Sequence, residues 1–228
     1  MKLLKEETLK WSAIVANCNM NRKRNLIGVN SYRKDIQFDI ADYLKDKINT
    51  NGSANWMDLC CGEGKAIIQA SEIFIELELL DNIELEGIDL VDMFDEFDPK
   101  NKIKFIAQSL LDWMPDKKYD LITCVHGLHY IGDKLIVIEK ALAALKSSGK
   151  FIANIDLENI KDQSGKSLSS DLIEQFNELN IEYNSRKKML VCEGNRALKF
   201  GYSYLGADDT FGKNYTGQEV VGSFYKKK

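Results

Sequence analysis

Residues 55–64 read NWMDLCCGEG, and this short stretch holds side chains suited to three kinds of chemistry. The adjacent thiols Cys60 and Cys61 could hold a metal or exchange electrons. Asp58 followed by Gly62 and Gly64 could build a loop that closes on a nucleotide. The stretch could also be an ordinary strand end. Spacing argues against the metal, because neighbours in sequence cannot easily face one ion and no CxxC or His pair accompanies them. The five cysteines, Cys18, Cys60, Cys61, Cys124 and Cys192, are odd in number, and three lie in apolar strand-like runs. That is the pattern of reduced, buried thiols in a cytoplasmic protein.

The loop reading gains support further along the chain. Gly62 and Gly64 remove side chains where a helix begins, so a ligand can approach the backbone and meet unpaired N–H groups. A second carboxylate, Asp89, ends the run GIDL about 25 residues beyond Gly64, near the distance at which an acid clasps a ribose diol. The only two histidines, His126 and His129, fall together in VHGLHYIGD. A neutral imidazole near pH 7 can face a reacting group while its neighbour packs or caps. Tyr32, in GVNSYRK with Asn30 and Arg33, is a candidate cover for such a site, since loops carry function. Tyr202, Tyr204, Asp208, Asp209 and Tyr215 crowd the C-terminal segment and are further candidates for an acceptor pocket.

Strand and helix signals place these residues. The first 52 residues read as a helical cap, with Leu3, Leu4, Trp11, Ile14 and Val15 approximating one face. Asp39 is positioned to cap a second helix that turns Ile40, Tyr43, Leu44 and Ile48 inward. From residue 53 a core of alternating strands and helices follows. Strands are expected at 56–60, 85–90, 103–108, 120–125 and 151–156, and helices at 65–79 and 134–149, the last stopping on Gly149. Alternation of this kind implies a parallel sheet covered on both faces, a doubly wound α/β fold. A helix near 169–180 precedes two alternating runs joined at Glu193-Gly194-Asn195, a hairpin signal that would add antiparallel strands. The whole chain, 1–228, reads as one domain.

Composition narrows the partners. With 31 Lys and Arg against 35 Asp and Glu, the net charge of −4 offers no general attraction to nucleic acid, and the triplet Arg22-Lys23-Arg24 is one candidate basic patch. No apolar run is long enough to span a bilayer, and the charged N-terminus is unlike a signal peptide.

Taken in order, these pieces resemble the class I S-adenosylmethionine-dependent methyltransferases. WMDLCCGEG is similar to their first motif, close to hhDhGCGxG, and GIDL to the second. IKFIAQSLLDWMPDKKYDLITCVHGLHYIGD resembles the third through fourth strands, and KSSGKFIANID the strand entry that follows. The similarity covers roughly residues 55–157. It implies transfer of a methyl group from S-adenosylmethionine, leaving S-adenosylhomocysteine, to an O or N nucleophile of a small molecule, with no metal.

By the resemblance, the loop from Asp58 through Leu59, Cys60 and Gly62 to Gly64 holds the methionine part of the cofactor. Asp89 holds the ribose, Leu90 and Met93 lie near adenine, and Val125, at the fourth strand's exit, is a further cofactor contact. His126, His129 and Tyr32 stand on the acceptor side. Two positions depart from the pattern. Ser109, with Leu110, stands where an acid usually meets the adenine amine. Cys60 replaces the first glycine, which is tolerable if its backbone φ is negative.

A dinucleotide reading fails because the third position of its glycine pattern is Ile67. The dehydrogenase-like spacing of Ser170, Tyr183 and Lys187 fails because Tyr183 falls in a strand-like run. The alternatives left open are methylation of RNA, protein or peptide, although no NPPY-like tetrapeptide follows the fourth strand, and a non-catalytic cofactor-binding protein.

Overall fold

The computed structural model describes residues 3–16, 23–215 and 217–228. Cys18 and Arg22 lie outside the described residues. A seven-stranded sheet forms the centre: β1 (Ala54–Leu59), β2 (Ile83–Asp89), β3 (Ile103–Ala107), β4 (Tyr119–Cys124), β5 (Leu145–Asn154), β7 (Glu182–Asn184) and β8 (Met189–Glu193). Its order is β3-β2-β1-β4-β5-β8-β7. The first five strands run parallel, and β8 and β7 add antiparallel at the edge. The order reverses between β1 and β4, which opens a crevice beyond their carboxyl ends, the usual ligand position in such sheets.

Both faces are covered, as continuous apolar strands require. Every residue of β1 and β4 is buried. On one face lie α3 (Tyr32–Ile36), α4 (Ile40–Asn51) and α5 (Lys65–Glu76), which contribute Ile36, Leu44, Ile67 and Phe74 to one apolar cluster. On the other lie α6 (Lys134–Ala143) and α7 (Ser169–Glu178), with Val137, Ile138, Leu172 and Phe176. Asp39 caps α4 as expected, accepting from the amide of Asp42 at 3.1 Å. Two short helices, α1 (Glu6–Leu9) and α2 (Ala13–Ala16), precede this layer. Trp11, expected on their inner face, is 79% exposed.

Three boundaries differ from expectation. Helix α6 ends at Ala143 rather than on Gly149, because β5 begins at Leu145 and carries a register irregularity against β4 between Tyr119 and Leu121. Gly149 belongs to that strand, where an added Cβ would lie 2.5 Å from the Tyr119 carbonyl. The hairpin turn falls at 185–188, inside a run read as one segment, and Gly194 instead takes the chain out of the sheet at φ 75°.

The remaining chain builds a second sheet, β6 (Ile160–Asp162), β10 (Glu219–Lys227) and β9 (Tyr202–Lys213), in the order β6-β10-β9. Lys134, wholly buried, ties α6 to it by donating to the carbonyls of Ile131 and Val221 and to Ser223 Oγ at 2.7–2.8 Å. Burial pushes this ammonium down to about 7, against the opposing charges of Glu6 and Asp133. Leu4 joins β9 through two backbone hydrogen bonds with Ala207, at 2.7 and 2.9 Å. Among the described residues no helix is long and apolar enough to cross a membrane.

Candidate functional site

Strand β1 ends on Asp58, and its neighbours explain what that residue does. Parallel pairing sets Asp58 beside Gly87 of β2 and Thr123 of β4. Its Oδ1 accepts from Thr123 Oγ1 and its Oδ2 from the Tyr32 hydroxyl at 2.7 Å. Trp56 Nε1 in turn donates to Thr123 Oγ1 at 2.8 Å. Trp56, Asp58 and Thr123 are all 0% exposed, so the four side chains form one buried chain of hydrogen bonds beneath the loop. Burial raises the Asp58 carboxyl to about 7, opposed by the bonds from Thr123 and Tyr32. Burial, with the Asp58 charge beside it, also carries the Tyr32 hydroxyl well above its ordinary range.

The loop turns sharply after Leu59. Cys60 has φ 58° and Gly62 φ 61°, both left-handed. The expectation of a negative angle at Cys60 is therefore overturned. A non-glycine residue in that region is strained by roughly 1–2 kcal/mol through its Cβ. The opposite wall accommodates it, because a Cβ on Gly127 would lie 2.3 Å from Cys60 Cβ and 2.8 Å from its Sγ. Asp89, at the end of β2, holds the loop by accepting from the Gly62 amide at 2.9 Å.

Above these strand ends is a cavity of about 280 Å³. Cys60, Gly62, Asp89 and Leu90 line one side, and Ser109, Leu110 and Val125 another. Seven of the residues singled out from the sequence thus converge on one space. The rest do not line it. Leu59 is buried in the apolar core. Gly64 serves packing, since a Cβ there would fall 2.2 Å from the Phe105 ring. Met93 is 53% exposed on the chain leaving β2. Asp58 and Tyr32 lie beneath the loop, so Tyr32 is a buried support and not a cover, its hydroxyl being held by Asp58.

Sequence reasoning missed the cavity's roof. Glu6, Leu9, Lys10 and Val15 line it from the N-terminal segment, and Tyr130 and Ile131 from the turn after β4. Burial raises Glu6 to about 7, with the Lys134 charge opposing. No local pattern announces this role. It follows from the long-range pairing of Leu4 with Ala207.

His126 and His129 stand behind Val125. His126, at φ 61°, begins the 3-10 turn Gly127–Tyr130. The rings are 6.2 Å apart, and His129 lies 5.9 Å from the Tyr215 ring. Asp35 Oδ2 is 3.5 Å from His126 Nε2 and is itself paired with Arg24. His129 is 0% exposed, and burial lowers it to about 3, helped by the charges of His126, Lys134 and Lys188. The other C-terminal candidates sit on β9, where Asp208 caps its own turn by accepting from Thr210. Among the described residues no group of three or more His, Cys, Asp or Glu is arranged to hold a metal.

The profile of a family described as a methyltransferase domain matches residues 30–182. No curated protein matches the chain. Among solved structures, the plantazolicin methyltransferase BpumL, in complex with a monoazolic desmethyl analogue and SAH, is 18% identical with a TM-score of 0.42, covering 69% of this chain and 55% of that one. An S-adenosylmethionine-dependent methyltransferase from Clostridium acetobutylicum is 24% identical with a TM-score of 0.36, covering 55% and 51%. CalS10, an amino pentose methyltransferase from Micromonospora echinaspora, is 15% identical with a TM-score of 0.42, covering 63% and 56%. The chain spans little more than half the length of each of these three.

Proposed function

The chain belongs to the methyltransferase-domain family, and on that premise we propose that it transfers a methyl group from S-adenosylmethionine to an oxygen or nitrogen of a small molecule. The observation that carries this reading is the cavity over the β1 and β2 exits, with the Gly62 amide bonded to Asp89 at its edge. The residues fit a nucleoside. A carboxylate has about four acceptor sites, enough for the loop amide and a ribose diol together. Leu90, Leu110 and Val125 give an apolar slot for the base, and Ser109 offers a hydroxyl where a carboxylate is usual. The lining Gly62 carries no side chain to obstruct approach. The cavity is near the lower end of small-molecule sites in volume.

When bound, S-adenosylmethionine supplies an electrophilic methyl on a sulfonium. The acceptor atom gains that methyl, the bonding pair stays with sulfur, and the acceptor's proton is released. The chain's part is alignment and exclusion of water. Asp58, Tyr32 and Thr123 are positioning residues that hold the loop from below. The N-terminal segment with Leu9 and Val15 roofs the cavity. His126, next to Val125, is the residue best placed to hold or receive the acceptor's proton. We read residues 1–228 as one domain acting in the cytoplasm on a small-molecule acceptor.

Calorimetric titration with S-adenosylhomocysteine tests the reading. Micromolar binding is expected, and no heat at high micromolar protein would overturn it.

A further inference from the structure

Methyl transfer as described leaves the thiols unused. Cys60 is half-buried and lines the cavity together with Gly127. The turn after β4 ties it to a second thiol. A Cβ on Gly127 would lie 2.8 Å from Cys60 Sγ and 3.0 Å from Cys124 Sγ, so both sulfurs border the space that one methyl group would fill. The two residues also join the same apolar cluster, on the α6 side of the sheet. Cys61 goes to the other face, where a Cβ on Gly87 would fall 2.8 Å from its sulfur. Cys192 is two strands from β4, on β8.

Backbone geometry suits a bond between Cys60 and Cys124. Asp58 of β1 pairs with Thr123 of β4, so the two cysteines stand just beyond a shared rung, offset by one residue. Adjacent strands are about 4.8 Å apart, and that offset keeps the pair inside the roughly 4.4–6.8 Å between Cα atoms that a disulfide requires. Gly127 has no side chain to stand between the sulfurs. Buried thiols are ordinarily inert. Cys60 differs, since a small reagent entering the cavity meets it directly, whereas Cys124 is 0% exposed. Accessible and sheltered thiols side by side suit the roles of first-attacked and resolving cysteine.

We propose that Cys60 and Cys124 are a peroxide-sensitive thiol pair whose disulfide shuts the cavity to its nucleoside ligand. Hydrogen peroxide is the oxidant. The Cys60 thiolate attacks one peroxide oxygen, the O–O bond breaks and hydroxide leaves, giving the sulfenic acid. The Cys124 sulfur then attacks the Cys60 sulfur, the S–O bond breaks, and the hydroxyl leaves as water with the Cys124 proton. Two thiols are oxidised by two electrons in all, and the peroxide becomes two waters. Bringing the sulfurs to about 2.05 Å draws Cys60 toward Cys124 and disturbs the turn that sets the Gly62 amide on Asp89. The effect on ligand rests on the methyltransferase reading, whereas the pair itself does not.

The reduced full chain is treated with hydrogen peroxide and mapped by mass spectrometry without reductant. A Cys60–Cys124 linked peptide is expected, and dithiothreitol should undo it. Saturating S-adenosylhomocysteine should slow the linking at least about 10-fold, and the linked protein should bind it at least about 10-fold more weakly until reduced. Cys124→Ala has no resolving thiol, so its reaction should stop at a sulfenic acid that dimedone labels on Cys60. Absence of the linked peptide, a link that leaves ligand affinity unchanged, or an unlabelled Cys60 in Cys124→Ala would each overturn the proposal. If the reduced protein binds no S-adenosylhomocysteine, the cofactor reading falls, while the linked peptide and the dimedone label still decide the pair.

Discussion

The exits of β1 and β4 are neighbours in the sheet and opposites in chemistry. At β1, both oxygens of Asp58 receive hydrogen bonds, and the residues involved are closed off from solvent. At β4, two buried histidines keep ring nitrogens without hydrogen bonds among the described residues, and His126 Nε2 has only the Asp35 carboxylate 3.5 Å away. Burial is therefore no guide to role by itself. A satisfied buried polar chain is a support, whereas buried atoms without hydrogen bonds tie nothing together.

The largest test of this contrast is Asp58→Ala, which strips the acceptor from Tyr32 and Thr123 and leaves a gap. A loss of about 3 kcal/mol in urea unfolding is expected, and about half of that for Asp58→Asn. A loss under ~1 kcal/mol would break the picture of a support. Asp89→Ala should weaken S-adenosylhomocysteine binding by about 1–3 kcal/mol in calorimetry while changing stability less. His129→Phe should be neutral or stabilising by up to about 1 kcal/mol, since it removes unpaired polar atoms, and should slow methyl transfer.

Acid and base titration sharpen the same comparison. The Asp58 carboxyl is raised from 3.8 to about 7 in the fold, so the native state holds its proton longer than the unfolded chain. Its contribution is full below the unfolded value and declines as pH rises through about 7. His129 is lowered from 6.5 to about 3, so the native state resists a proton that the unfolded chain takes up. Its contribution is present above 6.5 and is lost as pH falls toward 3. In unfolding measured against pH, Asp58→Asn should flatten the first slope and His129→Phe the second. The smallest effect is expected at Cys60→Gly, within about 1 kcal/mol of the parent, because relief of the left-handed strain offsets lost contact. That variant should make Gly127→Ala tolerable, a coupling a double-mutant cycle reads directly.

The sheet was legible because its evidence is local. Apolar runs of strand length, a glycine turn and Asp89 at the expected distance place β1, β2 and the loop. What stayed hidden depends on residues far apart in sequence. Gly64 looked like a ligand-facing glycine until Phe105 of β3 was seen against it. Tyr32 looked like a cover because nothing in GVNSYRK reveals that its hydroxyl reaches Asp58. Cys60 could be judged only with Gly127 across the gap. The second sheet escaped because β6 is three residues long and finds β10 some sixty residues later.

The pairing of Leu4 with Ala207 has a consequence for synthesis of the chain. The roof of the cavity is made first on the ribosome but cannot be hung until β9 has emerged, because its backbone partner lies about two hundred residues downstream. The cavity thus closes only when both ends of the described chain meet.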